Sequence, residues 1–166
     1  MAPAIREATR EDIAFIIGLE RAPANARLIG RFEAERHAAL LDEPDSRHLL
    51  GVDGAGEPFG FAILWGLCDP NGNVLLKRTA VAGPGEGLGR PFLERVVDWV
   101  FARPESHRLW LTVAPYNPRA QRVYATLGFV EEGRQREALI VPEGGRVDVI
   151  QMSILRPEWA ARQRTP

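Results

Sequence analysis

The segment FGFAILWGLC, Phe59 to Cys68, is apolar at odd and even positions alike. A strand with two apolar faces needs a central place in a sheet, with helices on one side and another layer on the other. A second copy of the chain against that other face would make a homodimer. Turn-rich DGAGEP and DPNGN flank the segment, and beyond them Arg47 to Val52 and Val74 to Val81 are strand-like. Together the three runs predict an antiparallel meander. Ten residues interrupted by Gly60 and Gly66 fall far short of the roughly 20 needed to cross a bilayer.

Helical and extended patterns fill the remainder. Ile5 to Ala8 begins a strand, and Thr9 followed by Asp12 reads as a capping box, with Asp in place of Glu, opening a helix through Ile13, Ile16, Ile17 and Glu20. Gly30 to Leu41 reads as a second helix. Leu88, Phe92, Val96 and Val100 recur beside Leu93, Val97 and Phe101, a strongly amphipathic helix that ends before Pro104. Arg108 to Ala114 is a strand, Asn117 to Leu127 a helix closed by Gly128, and Phe129 to Ile140 with Arg146 to Leu155 a terminal pair around PEGG. The order βααβββαβαββ predicts an α/β (α+β) fold: a mixed, largely antiparallel sheet of about seven strands with four helices. At 166 residues and 45% apolar the chain fits one domain, 1–166, with the tail 159–166 loosely held.

Charge and cysteine usage exclude several functions. A net charge of −1 gives no basic footprint for nucleic acid and no polybasic run for a membrane surface. MAPAIREATRED lacks the apolar core of a signal peptide. Cys68, the sole cysteine, rules out an internal disulfide framework and a cysteine-based zinc site, suits a reducing cytoplasm, and is expected as a buried, inert thiol at a strand end. His37, His48 and His107 have no metal-ligand spacing and read as surface or loop residues, so no metal is expected. The three serines sit in no nucleophile elbow.

The chemistry concentrates in TAVAGPGEGLGR, residues 79–90, where Gly83, Gly85, Gly87 and Gly89 alternate ahead of the amphipathic helix. A loop from strand to helix N-terminus offers unpaired N–H groups and about half a positive charge, a site for phosphate. A Walker loop needs Gly-Lys-Ser or Gly-Lys-Thr, and Gly89, Arg90, Pro91 do not supply it. A dinucleotide fingerprint from Gly85 and Gly87 would need glycine at Arg90, and LWLTVA ends without the ribose-binding acid.

With Gly87 and Gly89 ending a strand-loop-helix signature, and Asn117, Ala120, Tyr124, Leu127, Gly128 and Phe129 at the spacing of a second one, the chain resembles the GNAT superfamily of N-acetyltransferases. The likeness is nearest to the branch acetylating ribosomal and other protein N-terminal amines, and it departs from the pattern at Pro84, where Arg or Gln is usual. It implies the GNAT fold and acetyl-CoA as co-substrate. Backbone N–H groups of Gly85, Glu86, Gly87, Leu88, Gly89 and Arg90 would cradle the pyrophosphate; Thr79, Ala80 and Val81 would pair with the pantetheine arm, and Asn117 would lie against it. Tyr124 would be the general acid that protonates the departing thiolate, and the oxyanion would meet backbone N–H groups near Val81. An acid common in that branch falls on Thr112, which cannot ionise; Asp148, on the face of Ile150, Met152 and Ile154, is the candidate base, with Glu137 and Asp69 as further options. The acceptor is a small-molecule amine or a protein N-terminal amine, recognised by Arg21 to Asp45, the last hairpin turn and Trp65. The competing expectation is a non-catalytic acyl-CoA-binding module of the same fold.

Overall fold

The structure is a computed structural model describing residues 3–83 and 85–164; Pro84 lies outside the described residues. Seven strands form one sheet in the order β1-β2-β3-β4-β5-β7-β6: β1 Ala4–Glu7, β2 Ser46–Val52, β3 Pro58–Trp65, β4 Asn73–Val81, β5 Arg108–Val113, β6 Val130–Ile140 and β7 Arg146–Leu155. Every pairing is antiparallel except β4 with β5. The helices among the described residues are α1 Ile13–Glu20, α2 Ala34–Asp42, α3 Gly89–Phe101, α4 Pro118–Thr126 and α5 Arg156–Gln163.

Both faces of β3 are buried within this chain, so the apolar run needs no second copy. On one face Leu50, Phe61 and Ile63 pack with Ile16 of α1. On the other Leu49, Ala62 and Leu64 join Phe92, Val96 and Val100 of α3, with Tyr124 of α4 at the same core. The helices are set by local chemistry that sequence alone carries. Asp12 Oδ2 accepts from Thr9 N at 2.8 Å and bonds Arg6 as well, fixing the entry to α1. Asn117 Oδ1 accepts from Ala120 N at 3.2 Å, and Pro118 occupies the first helical position, where a missing N–H costs nothing.

Four expectations are corrected. A fifth helix, α5, follows β7: Trp159 stacks on Phe101 at 5.4 Å and its Nε1 donates to Asp98 Oδ1 at 2.8 Å, so helix α5 is docked, not loose; residues 165–166 of the expected tail lie outside the described residues. Helix α2 begins at Ala34 instead of Gly30, because the Phe32 amide is taken by the Glu20 carboxylate at 3.0 Å and cannot serve a helix. β3 ends at Trp65; the chain turns at Gly66, and Cys68 is exposed, its N–H held by Asp45 Oδ1 at 2.8 Å. His37 and His48 are fully buried, packed between α2 and β2.

Candidate active site

Parallel β4 and β5 pair only over Asn73–Leu75 and Arg108–Trp110. Beyond that point β4 stays with β3 as far as Val81, whereas β5 stays with β7 as far as Val113, and the two strands splay apart. A bulge at Lys77, between the pairs Leu64↔Leu76 and Ile63↔Arg78, sharpens the divergence. Ala82 N donates to Phe59 O at 2.7 Å. Because N–H groups alternate along a strand, this bond aims the Val81 and Thr79 amides at the gap, where no strand receives them.

A cavity of about 470 Å³ fills the splay. Thr79, Ala80, Val81, Gly89, Asn117 and Tyr124 all line it, so six of the residues singled out from sequence converge from β4, α3 and α4. Gly85, Glu86, Gly87, Leu88 and Arg90 are not on its wall; the first four lie on the chain path between Val81 and Gly89, which are, and Arg90 follows Gly89 in the first turn of α3. Gly83, Gly85 and Gly87 adopt φ of 62°, 111° and 81°, which answers why the loop needs glycines: L side chains are strained there. Gly85 and Gly87 face open space. The first intrahelical bond of α3 runs from Phe92 N to Leu88 O at 3.1 Å, leaving the Gly89 and Arg90 amides without a backbone partner among the described residues. Free amides at the positive end of α3 suit a phosphate.

Tyr124 is 8% exposed and touches Phe129, and its hydroxyl makes no hydrogen bond among the described residues. Burial pushes the phenol up to about 12, so it stays protonated throughout the neutral range. Asn117 spends Oδ1 on its cap and leaves its amide nitrogen for the cavity. Thr112 lines the cavity too, as a hydroxyl.

The candidate bases are elsewhere. Asp148 is absent from the wall: its Oδ1 accepts the Glu137 N–H at 2.9 Å, where the β6 register slips between Gln135 and Leu139 and Glu137 takes φ 52°. Both Asp148 and Glu137 therefore serve a bulge. Asp69 receives Asn73 N and Nδ2, each at 2.8 Å, which lowers its pKa and caps the turn before β4. No carboxylate and no histidine lines the cavity among the described residues; its charged side chains are Lys77, Arg78 and Arg119. Among those residues no group of three His, Cys, Asp or Glu could hold a metal ion.

Sequence reasoning missed a buried network behind this wall. Arg78, 8% exposed, donates NH1 to Glu20 Oε1 at 2.7 Å; Glu20 Oε2 accepts from Phe32 N and from His37 Nε2 at 3.2 Å; His37 Nδ1 lies 3.1 Å from His48 Nε2. A carboxylate only accepts, so His37 Nε2 donates to it. With His37 Nδ1 accepting from His48 Nε2, His48 Nδ1 keeps a buried lone pair without a partner. Burial would raise the Glu20 carboxyl, but the bonds from His37, Phe32 and Arg78 outweigh it and hold it low. Only the charged Arg78 inside an apolar strand signalled this network; its partners lie 58 and fewer residues away along the chain at no motif spacing.

The segment from Ala24 to Gly30 roofs the cavity. Arg27 pairs with Glu143 in the β6–β7 turn and lies over the Tyr116 ring, whose hydroxyl donates to Arg27 O at 2.9 Å. The two regions expected to meet the acceptor thus touch each other, and Leu139 and Val149 of that hairpin reach the wall. Trp65 does not line it; it stacks on Phe32 instead.

A glycine-rich strand-to-helix loop beside a cleft between two diverging parallel strands suits a phosphate-bearing ligand held by backbone amides. Residues 13–129 match the acetyltransferase (GNAT) family, and the chain belongs to it. A spermidine N(1)-acetyltransferase of Vibrio cholerae is 36% identical over 78 residues, 47% of this chain and 44% of that protein. A putative ribosomal N-acetyltransferase of Bacillus subtilis is 29% identical over 75 residues, 45% of this chain and 40% of that protein. The aligned stretch thus spans under half the length of these curated relatives. A crystal structure of the Vibrio cholerae spermidine N-acetyltransferase with CoA and spermine superposes with a TM-score of 0.86 at 24% identity, over 96% of this chain and 98% of that one, a likeness of fold.

Proposed function

We propose that the protein is an acetyl-CoA-dependent N-acetyltransferase acting on a primary amine. The observation that carries this is a buried, unbonded Tyr124 hydroxyl on the same cavity as the gap-facing amides of β4. The Gly85–Arg90 loop would take the diphosphate, Thr79–Val81 and Asn117 the pantetheine arm, and the thioester would lie between Val81 and Tyr124. The neutral amine nitrogen attacks the carbonyl carbon and the oxyanion is met by the Val81 N–H; as the C–S bond breaks Tyr124 gives its proton to sulfur, and the proton shed by the attacking nitrogen returns to Tyr124 through water. Without a wall carboxylate, the ammonium proton leaves through water, helped by the nearby cations, which lower the pKa of a bound ammonium. A lone cysteine and an acetyl-CoA donor fit a cytoplasmic setting.

The lack of an acidic or histidine base on the wall among the described residues also favours a second reading, a non-catalytic acyl-CoA-binding module. Thiol release from acetyl-CoA across a panel of amines separates the two. Release with at least one amine supports catalysis; tight CoA binding with no release from any amine supports the binding module.

A further inference from the structure

We infer that the acceptor carries a carboxylate beside its amine and that Arg78 is the specificity-determining residue that reads it; the inference rests on the acetyltransferase reading above. Lys77 and Arg119 on the wall are exposed, whereas Arg78 is more than nine-tenths buried and held on two sides. NH1 is tied to Glu20, and the guanidinium carbon lies 4.0 Å from the centre of the Phe32 ring. Phe32 is itself backed by Trp65 at 6.1 Å, nearly parallel, with the Lys77 ammonium 5.0 Å from the far ring. The guanidinium plane is therefore fixed before any ligand arrives.

Its remaining donors have no protein acceptor among the described residues. Nε and NH2 of Arg78 make no hydrogen bond among the described residues, and Glu20 cannot serve them, its second oxygen being taken by Phe32 N and His37. Neither nitrogen is among the side-chain atoms sealed from solvent without a partner, so both open to the cavity that Arg78 lines, and a planar fork with free N–H groups matches a carboxylate in two-point contact. Gly30 completes the cradle, since a Cβ there would lie 2.7 Å from Arg78 NH2. A polyamine suits this wall poorly. Its attacking nitrogen must be neutral, but its other ammonium groups would face Lys77, Arg78 and Arg119 with no lining carboxylate among the described residues.

The test compares matched acceptors by thiol release: leucine against 3-methylbutylamine, 4-aminobutyrate against propylamine, and spermidine alongside. The expected result is a kcat/KM at least tenfold higher for the carboxylated member of one or both pairs, with spermidine no better than the plain amines. Arg78→Gln should abolish that preference. Since it leaves Glu20 buried without its counter-ion, Gly30→Ala provides a second variant that keeps the pair and displaces NH2. Gly30→Ala should raise KM for the carboxylated acceptor by about 10- to 100-fold, with CoA affinity by calorimetry within twofold. Equal or better use of the plain amines or spermidine by the unaltered protein, or an unmoved KM in Gly30→Ala, overturns the inference and leaves the acetyltransferase reading standing. Release from no amine at all removes both.

Discussion

Tyr124 and His48 show what burial does to single ionisable groups. For Tyr124 it secures the proton: with the phenol up to about 12, deprotonation does not compete in the working range. General acid catalysis is worth about 10²- to 10⁴-fold, roughly 3 to 5 kcal/mol of barrier. Tyr124→Phe, which keeps the ring against Phe129, is expected to lower turnover by that order with CoA affinity unchanged; undiminished turnover would reduce Tyr124 to a packing residue. For His48, burial and then the neighbouring His37 push the imidazole down to about 4. Its unfolded value is near 6.5, so the unfolded chain binds the extra proton between those limits. The stability contribution is complete above about pH 6.5, falls as pH drops through that window, and is gone below about 4, a loss of about 3 kcal/mol. Asp12, held at about 2 chiefly by the hydrogen bond from Arg6, and Glu132, held at about 2 chiefly by that from Gln151, lose their contributions only in more acidic solution. Urea titrations at pH 7 and pH 5 should therefore show a lower midpoint at pH 5, and His48→Gln should flatten the difference. Burial decides both cases first, and the tertiary neighbours that produce it are what sequence hides: His48 lies eleven residues from His37, at no ligand or helical spacing.

Elements were more legible than residues where they follow local rules. The Thr9–Asp12 box, the Asn117–Pro118 cap and the apolar stripe of α3 each depend on neighbours within a few positions, and each stands where the pattern puts it. The alternating glycines announced an unusual backbone, and the φ values at Gly83, Gly85 and Gly87 supply it. Gly87→Ala introduces strain without a steric clash, because nothing lies within 4 Å of the added Cβ. It is expected to weaken CoA binding about tenfold by calorimetry, since left-handed backbone costs an L residue roughly 1–2 kcal/mol. Helix α5 escaped because its stability is tertiary: an eight-residue segment is marginal alone and forms here on Phe101 and Asp98. Trp159→Ala should accordingly cost about 1–3 kcal/mol in urea unfolding; an unchanged midpoint would mean α5 contributes nothing to the fold.

Across the whole molecule, the apolar β3 announced a two-layered sheet, and α1 with α3 and α4 are those layers. What the sequence could not convey is the splay of β4 from β5, because parting strands leave no mark in hydrophobic alternation; the bulge at Lys77 and the early end of pairing at Leu75 are visible only in three dimensions. The same blindness misplaced the base. Alternation set Asp148 on the core face, but the slipped register of β6 turned its carboxylate to the Glu137 amide. A wall free of acids among the described residues predicts a kinetic signature: kcat/KM should rise with pH until the acceptor amine loses its own proton, with no separate limb between pH 5 and 7, and a distinct limb there would reveal an enzyme base. The central claim, that the splayed strands and the glycine loop form a seat for coenzyme A, is tested most directly by calorimetric titration of the protein with CoA. Saturable binding of one CoA per chain is predicted; the absence of any heat of binding up to millimolar CoA would contradict it.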